Sequence, residues 1–357
     1  MAEIFDYLKW RGDLSFSKVG FGEVDAVIFS MLSYVDVSYL SGGGELTVVE
    51  CAKRFCTEES ELGLIMPTKQ IRRMLFEMAK TRRYGRIAVL GAVSELSEEG
   101  GYQFAAVCFQ LTSKSLLITF AGTDDTIVGW KEDCCLAFLD EIPAQRMAVE
   151  YLLSVAERYP DRKIYLAGHS KGGNLALYAA VRCADRLCDR IEAVYCLDGP
   201  GLSRKMIESR EYLALQQKIH VLLPRSSFIG IMFEKGEKYS VVDCPKGGLY
   251  QHDPFYWVLD GPKFKKLESL SSRGLKNEKN FRERMEKMSL EEKRELVEGV
   301  FEIIESTGAK TLTELTRQAP KRLMSLIKTY NNLDREKREL ITLLLFRFLG
   351  LKKETNQ

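Results

Sequence analysis

Histidine is scarce in this sequence, and neither sign of charge is in excess. The chain of 357 residues holds three histidines, and its 52 lysines and arginines nearly balance its 50 aspartates and glutamates, leaving a net charge of +2. Such a balance offers no electrostatic attraction for a polyanion, so we predict no nucleic-acid partner. With 45% hydrophobic and 29% charged residues, the chain should be globular and large enough for an α/β domain with an appendage.

Long hydrophobic runs are missing as well. No uncharged stretch reaches the roughly 18 residues that a membrane-spanning helix needs, and the N-terminal residues include acidic side chains without the apolar core of a signal peptide. The nine cysteines form no C-x-x-C pair and mostly lie in apolar segments, where a reduced thiol behaves as a small hydrophobic group. These absences predict a cytoplasmic protein with no membrane span, reduced cysteines and no zinc site.

Three regions follow from changes in pattern along the chain. Residues 1–85 carry apolar residues at helical spacing and are predicted to form a helical segment packed on the core. Residues 86–262 alternate strand and helix patterns after a predicted hairpin at 103–121, which indicates an α/β core with a mostly parallel sheet and helices on both faces. Residues 263–357 are rich in charge, lack a strand pattern and are predicted to form a helical C-terminal region.

A serine between two glycines marks the transition from a strand pattern to a helix pattern. Residues 168–172 read Gly-His-Ser-Lys-Gly, after a short apolar run and before a mostly apolar helix pattern. This context is typical of a nucleophile elbow, in which a strained turn projects the serine from the top of a sheet and glycines avoid a backbone clash. We therefore predict that Ser170 is a catalytic nucleophile.

A serine nucleophile needs a histidine base, and the chain offers three candidates. His169 adjoins Ser170 and should point away from its hydroxyl, while His220 lies inside a strand pattern. His252 follows the last strand candidate, in a loop with Pro254. Elimination favours His252 as the base.

The acid that orients the histidine is harder to place. Asp198 ends the strand after the elbow, at the carboxyl edge where ligands bind in such sheets. Asp243 ends a later strand, and Asp253 is too close in sequence to reach the Nδ1 atom of His252 easily. We predict Asp198 as the acid, with Asp243 as the alternative and a simple turn role for Asp198 as the third possibility.

An oxyanion hole needs two backbone N–H donors. One is expected from Lys171, because it follows the nucleophile at the start of a helix. The other is expected from Thr123 in the loop at 120–130, where Gly122 permits a bend and the threonine hydroxyl offers a third donor. In the same loop Ile127, Val128 and Trp130 could form a small lid over an acyl pocket or be a shielded part of the core.

The stretch from Phe120 to Asp133 resembles the oxyanion loop and lid of class 3 (fungal-type) lipases, with Ala121 in place of an arginine. The chain is more similar still to a bacterial family of uncharacterised lipase-like α/β-hydrolases, labelled Mbeg1-like. That resemblance rests on segments 7–16, 168–174, 197–201 and 224–257 and on the helical tail. It implies an α/β-hydrolase fold with Ser170 and His252 in the site.

One departure from class 3 lipases concerns the acid. Those enzymes carry the triad aspartate after the strand that corresponds to 218–223, where this chain has Ser226 and Ser227. A serine cannot be the acid, so the role is predicted to have moved one strand earlier, to Asp198.

These features predict a serine hydrolase that cleaves carboxylic esters and needs no metal or cofactor. Its substrate is expected to be a small-molecule or lipid ester. Two alternatives stay open, namely another serine acyl transfer (amidase, thioesterase or acyltransferase) and a non-catalytic hydrolase-fold protein that binds a partner. Neither the acyl length nor the oligomeric state follows from the pattern.

Overall fold

A computed structural model describes residues 2–37, 45–57, 68–233 and 238–315, together with residues 331, 335, 338 and 339. Within these residues we number the helices in chain order: α1 (Ile4–Arg11), α2 (Glu23–Leu32), α3 (Val48–Thr57), α4 (Thr68–Ala79), α5 (Ile127–Cys135), α6 (Pro143–Arg158), α7 (Lys171–Arg182), α8 (Ala184–Leu187), α9 (Arg204–Ile207), α10 (Arg210–Leu215), α11 (Ser272–Lys287) and α12 (Leu290–Glu305).

The strands are numbered in the same way: β1 (Leu46–Thr47), β2 (Ala88–Ser97), β3 (Tyr102–Thr112), β4 (Ser115–Phe120), β5 (Lys163–His169), β6 (Ile191–Leu197), β7 (Ile219–Pro224), β8 (Ser240–Val242), β9 (Leu259–Asp260), β10 (Lys263–Phe264) and β11 (Lys266–Leu267). Nine of them form one sheet in the order β1-β2-β3-β4-β5-β6-β7-β8-β11, and β9 pairs with β10 in a small separate sheet.

The middle of the large sheet is parallel. Strands β4 to β8 pair in parallel with one another. On one side β1 to β4 are joined by antiparallel pairing, and on the other side β11 pairs antiparallel with β8. The predicted hairpin is confirmed as β3 and β4, and the predicted parallel sheet is confirmed in the centre. The parallel strands are mostly apolar because helices cover both of their faces, and their exposed polar residues, Lys163, Glu192 and His220, lie at or next to the strand starts.

Strand β2 is absent from the elements expected from sequence. Its first residues are buried, but its second half, around Glu95, is largely exposed, although Phe104 on the facing part of β3 is buried. Without a buried face this part has no apolar alternation. The strand is held by its hydrogen-bonded ladder with β3, and for this reason no pattern in its own sequence predicts it.

Two hydrophobic layers enclose the sheet. On one face the N-terminal helices pack on it, and Phe29 of α2 meets Phe109 of β3 with ring centroids 4.8 Å apart. On the other face α6 and α7 bury side chains such as Leu152 and Leu175 against the strands. The sequence predicted helices on both faces, and the structure confirms this arrangement.

A buried ion pair joins the N-terminal helices. The guanidinium of Arg83 donates to both carboxylate oxygens of Asp25 in α2, at 2.8 and 2.7 Å, and neither side chain is exposed. Arg83 also donates to the backbone carbonyls of Leu14, Val19 and Gly20. With its donors satisfied in this way, the buried cation ties α2 to the segment between α1 and α2.

The region after residue 262 differs in part from the sequence expectation. It begins with β10 and β11, and β11 pairs with β8, so the large sheet continues past the predicted boundary. Strands of two residues are too short to leave a periodic pattern. Helices α11 and α12 follow, and a capping box formed by Ser289 and Glu292 begins α12. Apart from four residues, positions 316–357 of the predicted helical region lie outside the described residues.

In the described part of the chain eight cysteines form no disulfide, and five of them are buried. Burial raises the pKa of Cys51 to about 11, which keeps that thiol protonated and unreactive. The described residues contain no helix that is both long and apolar enough to cross a bilayer, and no group of His, Cys, Asp and Glu that could hold a metal.

Candidate active site

Ser170 lies between β5 and α7, at the carboxyl end of the parallel strands. Its backbone has φ 58° and ψ −130°, in the region that non-glycine residues rarely adopt, at a cost on the order of 1–3 kcal/mol. The Ser170 N–H donates to the carbonyl of Leu197 on β6 at 3.0 Å, which anchors the turn to the next strand. The geometry is that of a nucleophile elbow.

The two flanking glycines are required by close backbone contacts. A Cβ atom on Gly168 would stand 2.0 Å from the carbonyl oxygen of Gly172. A Cβ atom on Gly172 would stand 2.1 Å from the carbonyl oxygen of Phe120 at the end of β4. Because neither backbone oxygen can move aside cheaply, any larger residue would open the turn that holds Ser170.

His252 ends a short 3-10 helix (Gly248–His252) in the loop after β8, and its imidazole lies beside the elbow. Its ring centroid is 4.4 Å from that of His169, the residue before Ser170. The side chain is 21% exposed, so the ring borders solvent. The loop is held by buried Trp257, whose indole N–H donates to the carbonyl of Gln251 at 2.8 Å.

Asp198 contacts His252 directly. The Nδ1 atom of His252 lies 2.7 Å from Oδ2 of Asp198, and the carboxylate is 1% exposed. Asp198 follows β6, whose last residue pairs with His169 of β5, so the two strand ends bring acid and elbow together. Its φ is +48°, a value that aspartate tolerates better than most residues.

The alternative acids lie elsewhere. Asp243 forms ion pairs with Lys265 at 2.9 Å and with Arg225 at 3.7 Å, near the surface. Asp253 accepts the Phe255 N–H at 3.0 Å and caps the next 3-10 turn, and burial raises its pKa to about 6. Of the three aspartates considered from sequence, Asp198 is the one whose carboxylate meets the His252 ring.

Ser227 is a residue of the site that the sequence pattern did not reveal. Its buried hydroxyl donates to Oδ1 of Asp198 at 2.5 Å, and the Gly230 N–H donates to the same oxygen at 3.2 Å. Ser227 follows β7, the place at which class 3 lipases carry their aspartate. From sequence, this serine was considered only as unable to be the acid, but it hydrogen-bonds to the acid on the neighbouring strand.

His169 joins the elbow to the base through a buried relay. Its Nε2 atom lies 2.7 Å from the carbonyl oxygen of His252, and its Nδ1 atom lies 2.9 Å from the hydroxyl of Tyr34. A carbonyl can only accept, so Nε2 carries the hydrogen and the Tyr34 hydroxyl donates to Nδ1. Burial holds the pKa of His169 well below its usual value, which keeps the ring neutral.

Tyr34 also contacts the loop that contains Thr123. A Cβ atom on Gly122 would stand 2.0 Å from the Tyr34 hydroxyl, and a backbone hydrogen bond from Gly122 opposes the rise of the Tyr34 pKa that burial causes. A residue from the N-terminal helical segment thus contacts both the elbow and the Thr123 loop. Nothing in the local sequence marks Tyr34 for this role.

Thr123 lies in the loop after β4 and is 5% exposed. Its hydroxyl donates to the carboxylate of Asp133 in α5 and is therefore engaged, in contrast to the expectation that it offers a third oxyanion donor. Burial raises the pKa of Asp133 to about 6, although nearby Lys171 and the Thr123 hydroxyl oppose the shift. The backbone of Thr123, rather than its side chain, is left as the candidate donor.

Lys171 follows Ser170, and its side chain is fully buried. The ammonium donates to Glu132 at 2.9 Å and to the backbone and side-chain oxygens of Gln103 at 2.7 and 2.8 Å. Three acceptors match its three N–H donors, so the buried charge is satisfied. The sequence pointed to the backbone of Lys171 and gave no sign of this ion pair.

His220 lies on β7, away from the site, with its ring stacked on Tyr195 at 4.9 Å.

The parallel sheet, the strained serine turn and the His-Asp pair define an α/β-hydrolase fold with a lipase-like arrangement of elements. The profile of the Mbeg1-like family matches residues 78–302 of the sequence. The chain belongs to the Mbeg1-like family, in agreement with the resemblance seen in its sequence.

Among solved structures, the chain is similar to lipase II from Rhizopus niveus, with 11% identity, 69% of this chain and 85% of that chain covered, and a TM-score of 0.40. It is also similar to a mutant form of MDLA from Penicillium cyclopium, with 10% identity, 70% and 87% covered, and a TM-score of 0.42. No curated protein sequence matches this chain significantly.

Proposed function

We propose that the protein hydrolyses carboxylic esters by way of an acyl-enzyme on Ser170. The observation that carries this proposal is the 2.7 Å contact between His252 and Asp198, with the imidazole packed on the residue before a strained serine. A serine with positive φ is costly, and a buried carboxylate on a histidine orients and stabilises an imidazolium. Both features support nucleophilic catalysis.

In the first half-reaction, Ser170 Oγ attacks the ester carbonyl carbon while His252 takes the hydroxyl proton. Asp198 accepts a hydrogen bond from the Nδ1–H group of His252, which leaves the unprotonated Nε2 free to act as the base. Protonated His252 then donates to the leaving alkoxide, and the C–O bond of the alcohol breaks. In the second half-reaction the same histidine activates a water, which releases the carboxylic acid and restores Ser170.

The negative charge on the carbonyl oxygen would be met by the backbone N–H groups of Lys171 and Thr123. Lys171 begins α7, whose N-terminus adds a favourable dipole. Thr123 is held in place through its hydroxyl by Asp133. Donors fixed before the reaction need no reorganisation when the charge develops, which is why such sites stabilise transition states well. No step requires a metal or cofactor.

A fluorophosphonate probe tests this proposal directly. The purified chain should be labelled on Ser170 and should hydrolyse p-nitrophenyl esters, with a preferred acyl length that a graded series identifies. Ser170→Ala should lose both activities, with a fall of about 10⁴-fold or more in kcat. The matched control is Ser113→Ala in the exposed turn between β3 and β4, which should leave both unchanged. Labelling that persists in Ser170→Ala would refute the assignment.

A further inference from the structure

Helix α5 directly follows the Thr123 loop, where the sequence suggested either a lid or a shielded part of the core. The Thr126 side chain caps the helix by accepting the Gly129 N–H at 3.2 Å. Gly129 faces Thr123 closely, since a Cβ atom there would stand 2.8 Å from the threonine Cγ2. The Asp133 carboxylate accepts the Thr123 hydroxyl one turn further on. Any movement of α5 would therefore displace Thr123.

The N-terminal end of α5 is held by the segment 310–313 from the C-terminal region. The Ile127 N–H donates to the Lys310 carbonyl at 3.0 Å, and the Leu312 N–H donates to the Asp125 carbonyl at 2.9 Å. The Asp125 carboxylate also accepts the Thr313 N–H at 3.2 Å. Thr126 and Thr311 also form an antiparallel β-bridge. The segment 310–313 therefore pairs with the backbone at the start of α5.

The apolar face of α5 packs on α12. Ile127 is buried in a cluster with Phe301 and with its neighbours on and after α12, and Trp130 packs against the same cluster. At the rim, the Lys131 ammonium pairs with Glu305 at 2.8 Å. Of the three residues suggested as a lid, Ile127 and Trp130 therefore pack against a hydrophobic partner in the protein itself, which is the second of the two interpretations that the sequence left open.

The C-terminal half of α5 is held by the buried side chain of Glu132. The buried Glu132 carboxylate accepts the Lys171 ammonium at 2.9 Å, the Ala144 N–H at 2.9 Å and the Gln103 N–H at 3.3 Å. Lifting α5 would separate the buried Lys171 ammonium from the Glu132 carboxylate and leave it with the neutral oxygens of Gln103 alone. Breaking such a buried ion pair is far more costly than separating a surface pair. The anchor also joins α5 to the residue that follows Ser170.

We propose that α5 is a fixed wall of the active site and that the enzyme acts on individual dissolved esters, with no activation at a lipid–water interface. The inference rests on the proposed function for its substrate class. Interfacial activation requires a cover that moves when substrate aggregates. Here α5, which begins just after the Thr123 loop, is anchored at both ends and along its apolar face, and its Asp133 holds the Thr123 hydroxyl.

Tributyrin tests the substrate class, because its concentration can be raised through its solubility limit. The purified full chain should give a single saturation curve that continues smoothly across the limit. A several-fold rise in rate when droplets form would overturn the inference. An absence of hydrolysis on both sides of the limit, together with no activity on any member of the graded p-nitrophenyl series, would instead refute the proposed function.

Hydrogen exchange tests the fixed helix without relying on catalysis. Peptides that cover residues 127–135 should exchange equally slowly with and without micelles of a non-ionic detergent. Phe301→Ala, which removes a side chain from the buried cluster that α12 shares with α5, should speed exchange there several-fold and lower the rate on dissolved ester. The matched control is Leu290→Ala on the same helix, at a side chain that is 65% exposed, and it should change neither. Exchange that accelerates when micelles are added to the unmodified chain would overturn the inference, whatever the activity.

Discussion

Replacing Asp198 by asparagine gives the sharpest test of the proposed triad. Oδ1 of Asp198 accepts two hydrogen bonds, from the Ser227 hydroxyl and the Gly230 N–H, while Oδ2 faces Nδ1 of His252. An asparagine amide can satisfy both donors only with its carbonyl oxygen on the Oδ1 side. Its NH₂ group must then face His252.

The consequence for the base follows from the hydrogen-bonding roles. An NH₂ group that donates to Nδ1 requires Nδ1 to be the acceptor, so the imidazole proton moves to Nε2. In that tautomer Nε2 cannot take the proton of Ser170. We expect kcat to fall by about 10⁴-fold, the scale found when a triad histidine is held in the wrong tautomer, which corresponds to about 5 kcal/mol of transition-state stabilisation.

The assay is kcat for one p-nitrophenyl ester, with circular dichroism and a thermal melt to establish that the variant folds. Asp243→Asn is the matched control, because it removes a carboxylate from ion pairs near the surface, where such pairs contribute about 0–1 kcal/mol. Its kcat should stay close to that of the unmodified chain. An Asp198→Asn variant with nearly full activity would remove Asp198 from the triad, and a collapse in Asp243→Asn would move the role there.

Two further predictions concern supporting residues. Ser227→Ala should lower kcat by roughly ten- to a hundredfold, because a hydrogen bond to a charged group contributes about 1.5–3 kcal/mol. Ser226→Ala is the control and should have little effect, since the Ser226 hydroxyl bonds to Ser271. Equal losses of kcat in the two variants would contradict the role of Ser227. His169 should make the free energy of unfolding depend on pH, because folding lowers the pKa of its imidazole. The folded protein is therefore at its full stability with respect to this group above about pH 6.5. As the pH falls below that value, the free energy of unfolding should drop by up to about 1.4 kcal/mol per pH unit. Urea unfolding at about pH 7.5 and 5.5 should show that His169→Gln reduces this loss, and identical losses in both proteins would refute it.

The elbow and the alternation of strands and helices could be predicted from the sequence because their causes are local. The turn at Ser170 needs small residues at fixed offsets, and a parallel strand buried on both faces is continuously apolar. His252 could be predicted as the base by elimination among three histidines. Asp198 was the favoured acid because consecutive parallel strands end at one edge, and its contact with His252 agrees with that hypothesis.

The supporting contacts could not be predicted, because they join residues that are distant in sequence. Ser227 lies 29 positions from Asp198, Lys171 lies 39 positions from Glu132, and Tyr34 lies 135 positions from His169. A lone tyrosine or lysine gives no signal of its partner, since burial and pairing are properties of the folded packing.

The role of the C-terminal region shows most clearly the difference between what the sequence determines and what the tertiary structure decides. The start of α12 is determined by the sequence itself, because the capping box and the apolar stripe of this helix are local features; the stripe consists of Leu296, Val297, Val300, Phe301 and Ile304. Only the tertiary structure decided what that stripe covers. It places Phe301 in the same buried cluster as Ile127, and so it sets whether the helix after the Thr123 loop is free to move. The burial of an apolar face depends on which other face the fold presents to it.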